Sequence, residues 1–303
     1  MLRAEGVDIA NYRYAFDVNP NFIPDIGFSA LIRLWKSAGL PFWSMMLAIG
    51  AINMAALIRI SRTYKIDLTL LIVLWFCHLA VVRDFAQLRI GLAISIFLLA
   101  ICSQGKLGKL LLYMLSASMH YTAVAGIAAF EACSVVAHLR RPAVRMTIIA
   151  SLVIATLVLG RMIEQLAFLD PRIQLYMKWE QAGYGAAVDS YGILLLHLIV
   201  LCLSLVSRAA WSHDPKIRTL FFMQIAGITS FVALSQVAIF AFRISNVILS
   251  LYPVLVIKAL SLWRPRIVGR PAEPLVVGGA LLIFAMILIM RPGSYNIIGR
   301  IRL

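Results

Sequence analysis

Long apolar runs separated by short polar loops make up most of this chain. Nine runs approach the roughly 20 residues that a helix needs to cross a bilayer. They lie at 39–59, 67–82, 86–103, 121–138, 145–162, 190–207, 219–241, 244–261 and 273–290. A tenth, shorter run covers 108–119. Because only helices satisfy their backbones in lipid without closing a barrel, the pattern predicts an all-α, polytopic membrane protein of about nine to ten helices.

The N-terminal segment differs from the rest because charged residues such as Arg3, Asp8 and Arg13 interrupt it. No uninterrupted apolar core follows the basic start, so the segment is not a signal peptide. We interpret 1–38 as an extracytoplasmic polar segment and 39–303 as a helical transmembrane domain. An outer loop is predicted at about 162–189, between two apolar runs.

Composition excludes a soluble globular protein. Of 303 residues, 62% are hydrophobic and 14% are charged, and the mean hydropathy is +0.92. The net charge of +15 comes from lysines and arginines scattered between apolar runs, which is not the continuous basic stripe of a nucleic-acid-binding protein. No nucleic-acid partner is therefore predicted, and the bilayer is the expected surroundings.

Five short loops concentrate the basic residues and predict the orientation of the chain, because such loops stay in the cytoplasm. The loops contain Arg59, Arg62 and Lys65; Lys106 and Lys109; Arg140, Arg141 and Arg145; Arg208, Lys216 and Arg218; and Lys258, Arg264, Arg266 and Arg270. For all five to lie on one side, Leu110–Met119 and Tyr121–Ala137 must form a short hairpin. Its tip, near His120, is predicted to point outward.

Ionisable residues at membrane depth are costly and need a function or a structural partner. Arg83, Asp84, Gln87 and Arg89 cluster where the third run begins. Arg83 is equally well explained as an interfacial arginine that reaches the headgroups. Arg89 lies about 9 Å deeper at 1.5 Å per residue, on the face of the small residue Ala93, which would let a ligand or a helix approach closely.

A second polar stripe is predicted at Arg243, Asn246 and Ser250, because offsets of three and seven residues return to one helix face. Polar packing between helices explains Asn246 and Ser250 without any ligand. Arg243 requires an anion or a carboxylate.

His120, in the sequence Ser118-Met119-His120-Tyr121, is a candidate proton-transfer group or neutral hydrogen-bond donor, although a structural role is also open. His78 and His197 are interpreted as packing residues. The chain has no nucleotide-binding glycine motif, no HExxH and no DxD pair. No metal and no cofactor is therefore predicted, and arginines would supply the charge stabilisation, since their planar fork suits phosphate and pyrophosphate.

The pattern resembles the EpsG family of Wzy-type polysaccharide polymerases over roughly residues 3–260. The resemblance is carried by an ordered set of motifs: Arg3, Gly6, Asp8 and Tyr12; Phe28 in an IGF stretch; Arg89-Ile90-Gly91-Leu92-Ala93; Lys106 and Lys109; Ala117 and His120 in ASMHYTA; and Arg243 ahead of Tyr252-Pro253. It would place one or two helices ahead of the Arg3 to Tyr12 segment, where this sequence begins. It would also often place Gln at position 90, where this chain has Ile90.

The resemblance implies a metal-independent glycosyltransferase in the bacterial inner membrane. A hydroxyl of one lipid-linked unit would attack the anomeric carbon of an undecaprenyl-pyrophosphate-linked oligosaccharide at the outer face. Arg89 and Arg243, with Arg83 and Arg3, would bind the pyrophosphate, and His120 or Asp8 would act as base or orienting group. Asp84 and Asp189 remain alternative bases. A flippase and a chain-length regulator are the implied partners.

Three other functions compete with polymerisation. A transporter or flippase would use intramembrane arginines to bind an anionic solute, although no repeated halves are evident. A membrane acyltransferase would use His120 as its base. A ligase that transfers finished chains is hardly separable from a polymerase by sequence.

Overall fold

The computed structural model describes residues 7–76, 87–161, 174, 178, 190–207, 213–235, 237–263, 266–267 and 270–271. The helices are α1 (Val7–Asp17), α2 (Ile26–Ser37), α3 (Phe42–Tyr64), α4 (Leu68–Leu74), α5 (Leu88–Ile101), α6 (Lys106–Met119), α7 (Ala123–His138), α8 (Pro142–Arg161), α9 (Ser190–Val206), α10 (Pro215–Ala233), α11 (Ala238–Ile248) and α12 (Tyr252–Trp263). Short 3₁₀ turns cover Pro20–Phe22 and Leu249–Leu251, and β1 (Arg266–Ile267) pairs antiparallel with β2 (Arg270–Pro271).

The predicted helical membrane character is confirmed in the described part of the chain. Three of its helical segments are long and apolar enough to cross a bilayer: Phe42–Tyr64, Pro142–Gly160 and Ala241–Ser261. Leu88–Ile101, Ala123–His138 and Leu194–Val206 are shorter apolar helices. The count of nine to ten spans stays a prediction, and the ninth predicted run, 273–290, lies outside the described residues.

The N-terminal segment contains two helices, α1 and α2, to which the sequence analysis assigned no secondary structure. Tyr12 and Phe16 of α1 and Phe28 and Ile32 of α2 are buried in one hydrophobic core, which also includes Met45 of α3. The described charged side chains of α1 and α2 do not interrupt this apolar face, because they are exposed, as the Arg13–Asp17 pair is. The apolar residues of this segment therefore keep a helical spacing, although charged residues stand between them in the sequence.

The described residues fall into two compact units, one up to Val124 and one from Ala125. In the first unit α5 packs between α3 and α6. Two buried hydrogen bonds connect these helices: Ser95 Oγ donates to Asn53 Oδ1 of α3 over 2.6 Å, and Ser116 Oγ of α6 donates to the Ala93 carbonyl over 2.6 Å. Helices pack closely here because the residues at the contact are small.

In the second unit α10 is the central helix and packs against α8, α9, α11 and α12. Gly227 of α10 lies against Leu249, and Gly160 of α8 lies against Ala233. The interior also holds a polar contact, because Gln224 Nε2 donates to the His197 carbonyl over 2.9 Å. His197 is buried and its ring lies edge-on to that of Tyr252, in agreement with its interpretation as a packing residue.

A methyl group at Gly27 is expected to separate α2 from α6. A Cβ there would lie 2.8 Å from the Ser118 carbonyl carbon, so rotating the serine hydroxyl away would not relieve the overlap. Gly27→Ala should lower the free energy of unfolding by about 1–3 kcal/mol, measured by thermal unfolding in detergent. Gly50→Ala in α3 is the control, since a Cβ there meets nothing within 4 Å. Equal stability of the two variants would contradict the close approach.

Candidate functional site

Arg89 is the central charged residue of the candidate site in the first unit. It lies in the first turn of α5, after the N-cap residue Gln87, between the buried residues Leu88 and Ile90. Its side chain is 19% exposed. The arginine is thus the charged start of an otherwise strongly apolar helix, and its charge requires a partner.

That partner is Asp25, whose carboxylate accepts a charge-assisted hydrogen bond from Arg89 Nη1. Asp25 precedes α2 and is placed to cap it, yet its side chain makes no capping bond. Its carbonyl instead accepts the first helical bond from Ser29 N over 2.9 Å, and Ser29 Oγ donates to the Ile23 carbonyl. The stretch before α2 is therefore held by the two bonds from Ser29, which leaves the Asp25 carboxylate for Arg89.

Tyr12 of α1 contacts the same guanidinium in two ways. Arg89 Nε lies 3.4 Å from the tyrosine hydroxyl, and Arg89 Cζ lies 5.7 Å from the ring centroid. The ring of Tyr12 is in turn 5.5 Å from that of Phe28. The guanidinium is thus positioned by α1, by the turn before α2 and by α5 itself.

These contacts fix the orientation of the Arg89 guanidinium and use only part of its hydrogen-bonding capacity. Nε and Nη1 contact Tyr12 and Asp25, while Nη2 makes no hydrogen bond within the described part of the chain. An arginine has five N–H donors, so a bound anion can be added without breaking the pair with Asp25. The geometry suits recognition of a phosphate group at the remaining edge of the fork.

His120 lies where it was predicted, in the turn between α6 and α7, and it is 1% exposed. The Thr122 amide donates to its Nδ1 over 3.2 Å, and Thr122 Oγ1 is 2.7 Å from the same nitrogen. Because a backbone amide can only donate, Nδ1 is the acceptor and the proton of the neutral ring lies on Nε2. The Nδ1 contacts therefore favour the orienting role over that of a base.

The turn that carries His120 is close to the elements that carry Asp25 and Arg89. Ser118, two residues before His120, lies against Gly27, two residues after Asp25. Ser116, one helical turn before His120, bonds to Ala93, one turn after Arg89. The first unit therefore places Arg89, Asp25 and His120 on neighbouring elements, and the small residues Gly27 and Ala93 permit that closeness.

The second predicted stripe lies in the second unit. Arg243 is half-buried in α11, Asn246 is buried one turn later, and Ser250 is buried in the 3₁₀ turn that separates α11 from α12. The predicted span 244–261 lies within the helical segment Ala241–Ser261, in which the 3₁₀ turn changes the angular step before Ser250. Burial of Asn246 and Ser250 agrees with the predicted polar helix packing.

Several predicted site residues cannot be placed. Arg3, Arg83, Asp84 and Asp189 lie outside the described residues, and Asp8 lies in α1 with a side chain that is not described. Their roles stay predictions. Within the described residues, no three His, Cys, Asp or Glu side chains group as metal ligands.

Two residues of the site escaped the sequence analysis: Asp25, and Tyr12 as a partner of Arg89. Asp25 carried a local signal, since an aspartate just before the apolar run of α2 is typical of a helix N-cap. That signal predicts capping and not an ion pair with a residue 64 positions away. Only the packing of α2 against the rest of the unit reveals the partner.

The Arg89–Asp25 pair should show strong energetic coupling. Asp25→Asn leaves the arginine charge poorly compensated and should cost about 3–5 kcal/mol of unfolding free energy, whereas Asp25→Asn combined with Arg89→Gln should cost less than the sum of the two single changes. Thermal unfolding in detergent measures all four proteins. Arg13→Gln is the control, because its pair with Asp17 is exposed and should contribute less than about 1 kcal/mol. Additive single and double changes would contradict the pair.

Comparison with known proteins identifies the family. A family model described as the EpsG family matches residues 1–292, a range that includes Tyr12, Asp25, Arg89, His120 and Arg243. No curated protein and no solved structure matches the chain significantly. Since the matched range extends over nearly all of the 303 residues, this chain belongs to the EpsG family, a family of Wzy-like polysaccharide polymerases.

Proposed function

We propose that this protein joins undecaprenyl-pyrophosphate-linked oligosaccharide units into exopolysaccharide or O-antigen at the outer face of the bacterial inner membrane. The observation that carries the proposal is family membership over residues 1–292. The oriented guanidinium of Arg89 supports it, because a polymerase of this kind must bind a pyrophosphate leaving group. The proposed topology is that of the sequence analysis, with nine to ten spans, cytoplasmic basic loops and an outward-facing His120 turn.

The proposed reaction is a displacement at an anomeric carbon. A hydroxyl oxygen of the acceptor unit forms the new glycosidic bond while the bond between the anomeric carbon and the pyrophosphate oxygen of the donor breaks. Undecaprenyl pyrophosphate leaves with the bonding electron pair, and the hydroxyl proton passes to a base. Donor and acceptor account for every atom, so no nucleotide or oxidant enters the balance.

Arg89 is proposed to stabilise the negative charge that grows on the leaving pyrophosphate. Asp25 and Tyr12 fix the guanidinium before the substrate arrives, so little reorganisation is needed during the reaction. A donor of this type is worth roughly 10²–10³ in rate. Arg243, Arg83 and Arg3 are further proposed pyrophosphate ligands, for which the resemblance is the support.

His120 is proposed to orient a substrate oxygen through the N–H at Nε2. Accepting a proton at Nε2 would require the other neutral tautomer, with hydrogen on Nδ1, and the Thr122 amide opposes that tautomer because it already donates to Nδ1. Asp8 is then the proposed base, with Asp84 and Asp189 as the alternatives. A flippase and a chain-length regulator are the proposed partners.

The size distribution of surface polysaccharide tests the function. In the native host, a deletion and Arg89→Ala at equal membrane level should both lose long chains while single repeat units are still exported. Arg89→Lys should restore little, because an ammonium group lacks the planar fork. Arg33→Ala is the matched control, since that arginine is exposed in the same unit and bonds only to Asn21 among the described residues.

The same experiment distinguishes the competing functions. Unchanged chain length in the deletion would overturn the polymerase proposal. Loss of all export would favour a flippase, and loss of ester groups at normal chain length would favour an acyltransferase. Full-length chains that stay on their lipid carrier would favour a ligase.

Substitution of His120 separates an orienting donor from a base. His120→Gln keeps an N–H donor on a side chain of similar reach and should retain polymerisation within about tenfold, whereas His120→Ala should lose about 10²-fold. The measurement is the rate of chain elongation in membranes with a lipid-linked acceptor. Equal inactivity of the two variants at wild-type protein level would restore the base assignment.

A further inference from the structure

The second unit contains an apolar groove at the ends of three helices. It has a volume of about 210 Å³. Met146 of α8, Leu201 and Leu205 of α9, and Phe222 and Ile225 of α10 contribute to its walls. Since Met146 and Leu205 are each nearly half exposed, the groove opens at the protein surface.

The mouth of this groove is strongly basic. Arg145, near the start of α8, lines the groove itself, and Arg218 lies in the first turn of α10, one turn before the groove residue Phe222. Arg218 is fixed in place, because Nε and Nη2 donate to the Ala137 carbonyl over 3.0 and 2.6 Å and Nη1 donates to the His213 carbonyl.

Basic residues outnumber acidic ones in the described stretches beside the groove. Arg140 and Arg141 immediately precede α8, and Lys216 precedes Arg218, while Asp214 is the acid beside them. Asp214 also caps α10 by accepting the Lys216 amide over 2.8 Å. The mouth therefore carries excess positive charge directly beside an apolar channel.

We propose that this groove, defined by Arg145, Met146, Leu201, Leu205, Phe222 and Ile225, binds an anionic phospholipid. The lipid phosphate lies between Arg145 and Arg218, and one acyl chain occupies the groove. A neutral lipid would contact the apolar walls but would not pair with the arginines. A soluble anion would pair with the arginines but would not contact the walls. Cations beside an apolar groove therefore favour a molecule with both a negative headgroup and an acyl chain, as basic pockets between membrane helices do.

The bound lipid has a structural consequence that is independent of the proposed polymerase activity. The groove walls come from α8, α9 and α10, so one lipid molecule bridges three helices of the second unit. A ligand that binds only the folded state shifts the unfolding equilibrium toward that state. Phosphatidylglycerol should therefore raise the unfolding temperature of the full-length protein more than phosphatidylcholine does.

Native mass spectrometry of the full-length protein tests the site, with phosphatidylglycerol and phosphatidylcholine titrated separately in detergent. The wild type should retain one phosphatidylglycerol molecule in preference to phosphatidylcholine. Arg145→Gln should weaken phosphatidylglycerol binding about fivefold. Arg62→Gln is the matched control, because it removes the same charge from an exposed position at the end of α3 in the first unit and should leave binding unchanged.

A second variant tests the acyl-chain part and does not depend on the stability of Arg145→Gln. Leu205→Trp keeps every cation and fills the groove, and it should reduce retained phosphatidylglycerol to the level of phosphatidylcholine. Equal loss in Arg145→Gln and Arg62→Gln, or no preference in the wild type, would overturn the proposal. If inorganic phosphate displaces the lipid, or if Leu205→Trp binds normally, the cations alone bind anions and the groove is not the site.

Discussion

The ion pair between Arg89 and Asp25 is the constraint on which the arrangement of the first unit depends. A lone guanidinium in an apolar chain is costly, and it is tolerated only where a carboxylate and further hydrogen-bond acceptors surround it. Meeting that requirement brings the turn before α2 and the Tyr12 face of α1 to the first turn of α5. The N-terminal segment is therefore integrated into the core of the unit and does not simply precede it.

The remaining contacts follow from how helices associate in a bilayer. Lipid tails are as apolar as leucine side chains, so helices gain little from hydrophobic burial and rely on close packing and buried hydrogen bonds. The chain meets this requirement with small residues at crossings, as at Ala93 and Gly227, and with short polar contacts such as that between Ser95 and Asn53. These contacts hold the elements of each unit in a fixed geometry.

That fixed geometry determines what the polar residues are able to do. Arg89 is a permanent cation whose orientation is set before any ligand binds, and His120 is a neutral ring whose tautomer is set by the Thr122 amide. In the proposed function both stabilise charge or orient oxygen atoms. Electrostatic preorganisation is the form of catalysis that such a site favours.

The sequence alone determined the membrane character, the approximate position of most helices and the turn at His120, because apolar runs and basic loops are local properties of the chain. It also indicated that Arg89 is a candidate site residue, since an arginine at the start of an apolar helix needs a partner. Tertiary structure decided that the partner is Asp25, that Tyr12 completes its surroundings, and that α1 and α2 belong to the core. Those facts depend on contacts between residues far apart in the chain, and no local pattern specifies which distant carboxylate meets a given arginine.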